Sequence, residues 1–195
     1  MSELQDALRD AARHLDGFGV TWALVGGLAV SARATPRTTR DVDVAVVTAS
    51  DEEAEALIFR LGALGYRSVA VVEQLSTGRM ATARLRVPGA TGLLLDLLFA
   101  SCGIEPEIAR DAEPLEVLPG ITVRVARVGH LLAMKLLARD DRRRPQDADD
   151  LRALLEVAHA AEHRRCEEAL ALITARHCNR ERDLLAAWRA LLDDR

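Results

Sequence analysis

Between residues 41 and 47 the chain reads DVDVAVV, an apolar strand with two carboxylates set into it. Side chains alternate faces along a strand, so Asp41 and Asp43 share one face while Val42 and Val44 take the other. Carboxylates held side by side on such a strand repel each other, and each resists losing its water. Two surroundings relieve them: a solvated strand end, or a bound divalent cation. Hard oxygen donors of this kind suit Mg²⁺, with Mn²⁺ as a substitute. Asp96 bears on the choice, because it interrupts the apolar run GLLLDLLFA at its centre, where a lone charge needs a partner. If that run lies beside the DVD strand, three carboxylates converge. Three are enough to hold two cations about 3.5–4 Å apart for in-line phosphoryl chemistry. Upstream, the short apolar run TWALV stops at Gly26-Gly27, with 13 residues between Gly27 and Asp41. Glycines at a strand-to-helix turn let backbone N–H groups approach phosphate, and the following helix offers its positive end.

The remaining pattern is mixed. Ser2 and Gln5 read as a capping box opening an amphipathic helix that ends at Gly17. Strands are expected at 21–25, 41–47, 66–72, 81–87 and 92–99, with one more strand or a hairpin within 115–128 around Pro119-Gly120. Helices are expected at 28–34 and 51–64. From His130 onward the pattern is helical, in segments near 130–139, 147–161, 163–177 and 180–193. The expectation is an α/β (α+β) fold, with a mixed sheet flanked by helices over residues 1–128. A helical bundle over 129–195 should pack on that core.

Composition removes several classes of function. The longest apolar run is far short of a membrane span, and the opening MSELQDALRD lacks a basic-then-apolar leader, so a cytoplasmic protein with no membrane partner is expected. Cys102, Cys166 and Cys178 are widely spaced, and neither a disulfide framework nor a zinc pattern with His163 and His177 fits their spacing. A net charge of −4 argues against a non-specific nucleic-acid coat, though not against a local basic site. Of the 26 basic residues only Lys135 is a lysine.

GG-(x)13-D-V-D followed by an Asp on a later strand resembles the nucleotidyltransferase fold of the DNA polymerase β superfamily. More narrowly, LVGGLAVSARATPRTTRDVDVAV is similar to the first motif of the AbiEii-type toxins, to which the MenT toxins belong. There a basic residue and a Thr precede the DxD, the places of Arg37, Thr39 and Arg40. A second motif of that family matches KLLARDDRRRPQDADDL, with Lys135, Ala138, Arg142 to Arg144, Asp147, Asp150 and Leu151 in register. The two motifs, found in order, span roughly residues 20–151. Three features depart from the pattern: Gln146 replaces a basic residue, the chain reads Gly26-Gly27-Leu28 where many nucleotidyltransferases have Ser immediately after the first Gly (Ser31 is the nearest hydroxyl), and the helical tail is short.

The resemblance implies a Mg²⁺-dependent nucleotidyltransferase. In it Asp41, Asp43 and Asp96 hold metal. Gly26, Gly27, Thr39, Arg40 and Lys135 bind the NTP, Asp147 orients Lys135 or the nucleotide, and Asp150 braces the Arg-rich turn. A compact ammonium such as Lys135 suits triphosphate oxygens. The implied acceptor is the 3′ end of tRNA, approached through Arg33, Arg37, Arg40 and Arg142 to Arg144, with a cognate antitoxin as protein partner. Other readings stay open. One is transfer to a small molecule of aminoglycoside type, for which the acidic patch Asp111–Glu113 leaves room, or to a protein side chain. Another is a non-catalytic partner-binding domain that kept the fold.

Overall fold

The computed structural model describes residues 2–140 and 146–193. The chain opens with α1 (Glu3–Gly17), β1 (Trp22–Val25), α2 (Gly26–Arg33), β2 (Asp41–Val46) and α3 (Asp51–Ala63). β3 (Arg67–Glu73), β4 (Met80–Arg86), β5 (Leu94–Leu98), α4 (Glu105–Asp111), β6 (Glu113–Leu118) and β7 (Ile121–Val125) follow. Then come α5 (Val128–Ala138), α6 (Gln146–Val157), α7 (Ala160–Ala175) and α8 (Leu184–Asp193). The expected capping box at Ser2 is present, with Ser2 and Gln5 each accepting from the other's backbone N–H.

The strands form one seven-stranded sheet in the order β3-β4-β5-β2-β1-β7-β6. β2 runs antiparallel to β1 and parallel to β5, and β1 runs parallel to β7. The two flanks, β3-β4-β5 and β6-β7, are antiparallel meanders. β1 is buried on both faces, and β2 is buried except at Asp41 and Asp43: Ala23, Leu24, Val42 and Val44 have no exposed surface.

Helix coverage of the face that carries Asp41 and Asp43 is uneven. α2 lies against β1, β2 and β6, and α5 and α6 pack on α2, so that half is roofed. On β4, buried Ala83 and Leu85 alternate with exposed Arg84 and Arg86. α3, which packs on β3 and β4 through Ala54, Leu57 and Leu61, therefore takes the opposite face. Among the described residues no helix covers the β5-β4-β3 half of the carboxylate face. A single cluster of buried apolar side chains runs from Ala7 on α1 to Trp188 on α8.

Two segments differ from the sequence expectation. α4 is an additional helix, and its start is fixed by Glu105, a buried carboxylate that accepts from the Cys102 N–H at 2.8 Å. Placing it required seeing that Glu105-Pro106 begins a helix rather than a loop. The last helix begins at Leu184 instead of near 180, because His177, Arg180 and Glu181 adopt positive φ angles of 58°, 54° and 58°. Left-handed residues cannot propagate a right-handed helix. The hairpin expected around Pro119-Gly120 is β6–β7. The three cysteines are buried and free, and no helix among the described residues is long and apolar enough to cross a membrane.

α5 and α7 pack closely because residue 129 has no side chain. A Cβ there would lie 2.5 Å from the Glu162 carbonyl oxygen and 2.8 Å from Cβ of Arg165. Gly129→Ala should therefore lower the unfolding free energy by about 1–3 kcal/mol, the usual range for overpacking a rigid contact. Urea unfolding checks this; an unchanged midpoint would contradict the close approach.

Candidate active site

The register of β2 against β5 builds the centre of the site. Asp43 is paired with Asp96 and Asp41 with Leu94, and residues paired across neighbouring strands face the same way. Asp41, Asp43 and Asp96 therefore share one sheet face. The charges feel one another. Burial and then the charge of Asp96 raise the pKa of Asp41 above the ordinary carboxylate value. For Asp43, burial, then Asp96, then Asp41 push it up to about 6, against a weaker pull from Lys135 and the Gly27 N–H.

Asp96 has a partner that the sequence reading did not assign. Arg84, opposite it on β4, donates from Nε to Oδ1 at 2.9 Å and from Nη2 to Oδ2 at 2.6 Å. This two-pronged bond is how a buried Asp96 is satisfied at the middle of an apolar strand. The alternation in ATARLRV, with arginines at every second position, was the available signal.

The glycine turn is fitted to these carboxylates. Gly26 has φ +65°, and a Cβ on it would lie 2.0 Å from Asp43 Oδ2. A Cβ on Gly27 would come within 2.9 Å of both Arg37 Nη2 and Thr39 Oγ1. Gly27 also donates its N–H to Asp43. The absent side chains thus let Asp43 and the basic turn at 36–40 close over the start of α2.

Lys135 reaches the site from α5. Its Nζ is 2.7 Å from Asp147 Oδ1 and 2.7 Å from Asp150 Oδ2, both buried on α6. Asp150 in turn accepts from Arg37 Nε at 2.6 Å and Nη2 at 2.8 Å. Burial favours its neutral form, yet hydrogen bonds from Arg37 and Lys135 hold its pKa below the ordinary value. Ser31 Oγ, on α2, accepts from the Arg37 N–H at 3.2 Å. One polar network therefore joins α2, the 36–40 turn, α5 and α6. Asp150 braces Arg37 within it, whereas the sequence reading gave it the Arg-rich turn at 142–144, which lies outside the described residues.

These groups line a cavity of about 380 Å³ that includes Gly26, Gly27, Arg37, Thr39, Arg40, Asp41, Asp43, Arg84, Asp96, Lys135 and Asp147. Arg33 is not among them. It donates to the carbonyls of Val125 and Ala126 and to Glu113, which pins the β6–β7 hairpin to α2. Among the described residues no three acidic, His or Cys side chains stand as a ready-made metal cluster, and Asp96 gives both oxygens to Arg84. The surplus of negative charge that raises Asp41 and Asp43 nevertheless fits a hard divalent cation at that pair.

The AbiEii family model, described as the nucleotidyl transferase AbiEii toxin of type IV toxin–antitoxin systems, matches residues 8–194. No match was found among curated protein sequences. The chain is similar to the solution structure of the antibiotic-resistance factor ANT(2″)-Ia, with 20% identity, a TM-score of 0.57, and coverage of 93% of this chain and 97% of that one. A crystal structure of ANT(2″)-Ia with adenylyl-2″-tobramycin gives 18% identity and a TM-score of 0.54, covering 89% and 97%. An antigenic nucleotidyltransferase-like protein from Paracoccidioides brasiliensis gives 22% identity and a TM-score of 0.51, covering 95% and 93%. These likenesses show a shared fold.

Two stability measurements follow from the site. A carboxyl whose folded pKa is raised from 3.8 to about 6 is destabilising above that window and neutral in effect below it. Without divalent cation, Asp43→Asn should thus be more stable than wild type at pH 7.5, by on the order of 3 kcal/mol. The gain should disappear as pH falls through about 6 to 4; a variant less stable at pH 7.5 would contradict the crowding of charge. Lys135→Ala removes the ammonium that Asp147 and Asp150 share, while Arg37 still holds Asp150, and should cost about 1–3 kcal/mol in denaturant unfolding.

Proposed function

We propose that this chain, which belongs to the AbiEii family of nucleotidyl transferase toxins and is a nucleotidyltransferase by that membership, transfers NMP from an NTP to an RNA acceptor, the 3′ end of tRNA. The reading further assigns it dependence on Mg²⁺, a place in the cytoplasm and a cognate antitoxin. The observation that carries it is the in-register pairing of Asp43 with Asp96 beside Asp41, facing a cavity also lined by Arg37, Arg40, Arg84 and Lys135, with Asp147 beside the lysine.

In this reading Asp41 and Asp43 hold the divalent cation, with Asp96 as the third carboxylate. When bound there, the ion would supply charge neutralisation at the α-phosphate and would lower the pKa of the attacking hydroxyl. Lys135, fixed between Asp147 and Asp150, offers its ammonium to the β- and γ-phosphates. Thr39, Arg40 and the Gly26-Gly27 turn line the same flank and orient the triphosphate. Asp96 stands on the other flank and accepts the hydroxyl proton once Arg84 yields one of its oxygens. The hydroxyl oxygen then bonds to the α-phosphorus, the bond to the β-phosphate oxygen breaks, and pyrophosphate leaves. Positioning and charge neutralisation supply most of the acceleration, as in phosphoryl transfer generally.

The fold is also that of ANT(2″)-Ia, whose solved complex holds adenylyl-2″-tobramycin, so a small acceptor is the rival to consider. Arg37, Arg40 and Arg84 around the cavity support a polyanionic acceptor over a polycationic one. Incubation with α-labelled NTPs, Mg²⁺ and total tRNA should label RNA. Asp41→Ala and Asp43→Ala should each reduce labelling by about 10³-fold, the equivalent of ~4 kcal/mol. Label on no RNA, or equal labelling by Asp43→Ala, would remove the RNA-modifying reading. Label on a protein or aminoglycoside instead would redirect it.

A further inference from the structure

The uncovered half of the carboxylate face carries a row of arginines, Arg84, Arg86 and Arg67, of which the nucleotide reading uses only Arg84. Strand register extends the Asp41 level outward across three more strands. Asp41 is paired with Leu94, Leu94 with Arg86, and Arg86 with Arg67. All four side chains face the same way, and Arg84 lies two residues from Arg86 on that face. With strands about 4.8 Å apart, Arg86 and Arg67 stand about 10 Å and 14 Å from Asp41. Both are exposed.

Their pairing is unusual in charge. Arginines directly opposite each other on neighbouring strands repel. Neither the Arg67 nor the Arg86 side chain has an ion pair or hydrogen bond among the described residues. A charge at position 67 protects the edge strand β3 from pairing with other chains, but a Glu there would do so and neutralise Arg86 as well. Two facing cations with no internal acid are what a bound anion requires. Around them the surface is small and apolar, with Ala70 and Val72 on β3 and Thr82 on β4.

The direction of the row matters. The glycine turn, Lys135 and the 36–40 turn occupy the β1–α2 flank of the carboxylates. In-line transfer puts the attacking and leaving oxygens on opposite sides of the α-phosphorus. With the triphosphate on the β1–α2 flank, the acceptor enters over β5, β4 and β3. We infer that the row Arg84, Arg86 and Arg67 seats the phosphodiester backbone of a single-stranded polynucleotide acceptor, its terminal hydroxyl toward Asp96 and the preceding phosphates running out toward the β3 edge. This deepens the nucleotidyltransfer reading above and rests on it for the position of the hydroxyl. The same row presents like charge to a polycationic acceptor.

The test is binding of a 5′-fluorescein-labelled twelve-nucleotide single-stranded RNA, measured by anisotropy over a salt series, with a DNA of the same sequence beside it to tell the two sugars apart. Arg67→Ala/Arg86→Ala, at exposed positions, should bind RNA more weakly. Its slope of log K against log salt should be shallower by about 1.4, at ~0.7 per lost phosphate contact on a single strand. Arg13→Ala/Arg189→Ala removes the same charge from α1 and α8 and should leave the slope where it was. Equal slopes for wild type and Arg67→Ala/Arg86→Ala, or no binding of the RNA by wild type, overturns the seat. Retained, row-dependent binding with no transfer of label from any NTP supports the seat and removes the nucleotidyltransfer reading, so the two failures separate.

Discussion

Parallel pairing of β2 with β5 forces Asp43 and Asp96 into adjacent positions on one face, with Asp41 beside them. The rest of the site is arranged around that concentration of like charge. Arg84 takes up Asp96 from β4, and the Gly27 N–H reaches Asp43 from the start of α2. Neither removes the crowding, since Asp41 and Asp43 still sit above the ordinary carboxylate range. A one-residue slip of β5 would turn Asp96 to the opposite face and bring Leu95 and Leu97 into the cavity. The apolar packing of Leu95 and Leu97, both without exposed surface, is what holds the register.

The second constraint ties the helical part to the sheet. Lys135, Asp147, Asp150 and Arg37 form a buried network across α5, α6 and the basic turn. Buried ion pairs add little net stability when compared with apolar packing, but breaking one partner is expensive. The network therefore fixes geometry: the lone lysine cannot drift, and the turn carrying Thr39 and Arg40 is anchored by Asp150. The uneven roof follows from the same arrangement. α2, α5 and α6 close one half of the carboxylate face, and the arginine-bearing half stays accessible.

Much of this was legible in the sequence because the signals are local or periodic. The DVD alternation placed Asp41 and Asp43 on one face. Asp96 stood out as a charge inside an apolar strand, and the two motifs kept their order and spacing. Most element boundaries fell within two or three residues. What escaped depended on three-dimensional pairing. Arg84 became a site residue only when β4 was set against β5, and Arg37 found Asp150 across more than a hundred residues. Arg33 looked like part of a basic groove but is spent on the β6–β7 carbonyls. α4 was hidden because Glu105 caps it by reaching back to Cys102, and the start of α8 because three residues turned left-handed.

A divalent cation relieving the Asp41–Asp43 pair is the claim on which the chemistry rests, and calorimetric titration of NTP in the presence and absence of Mg²⁺ tests it most directly. The account predicts NTP affinity that appears with Mg²⁺ and is lost when Asp41 and Asp43 are both changed to Asn. NTP binding that ignores Mg²⁺, or that survives in Asp41→Asn/Asp43→Asn, would contradict it.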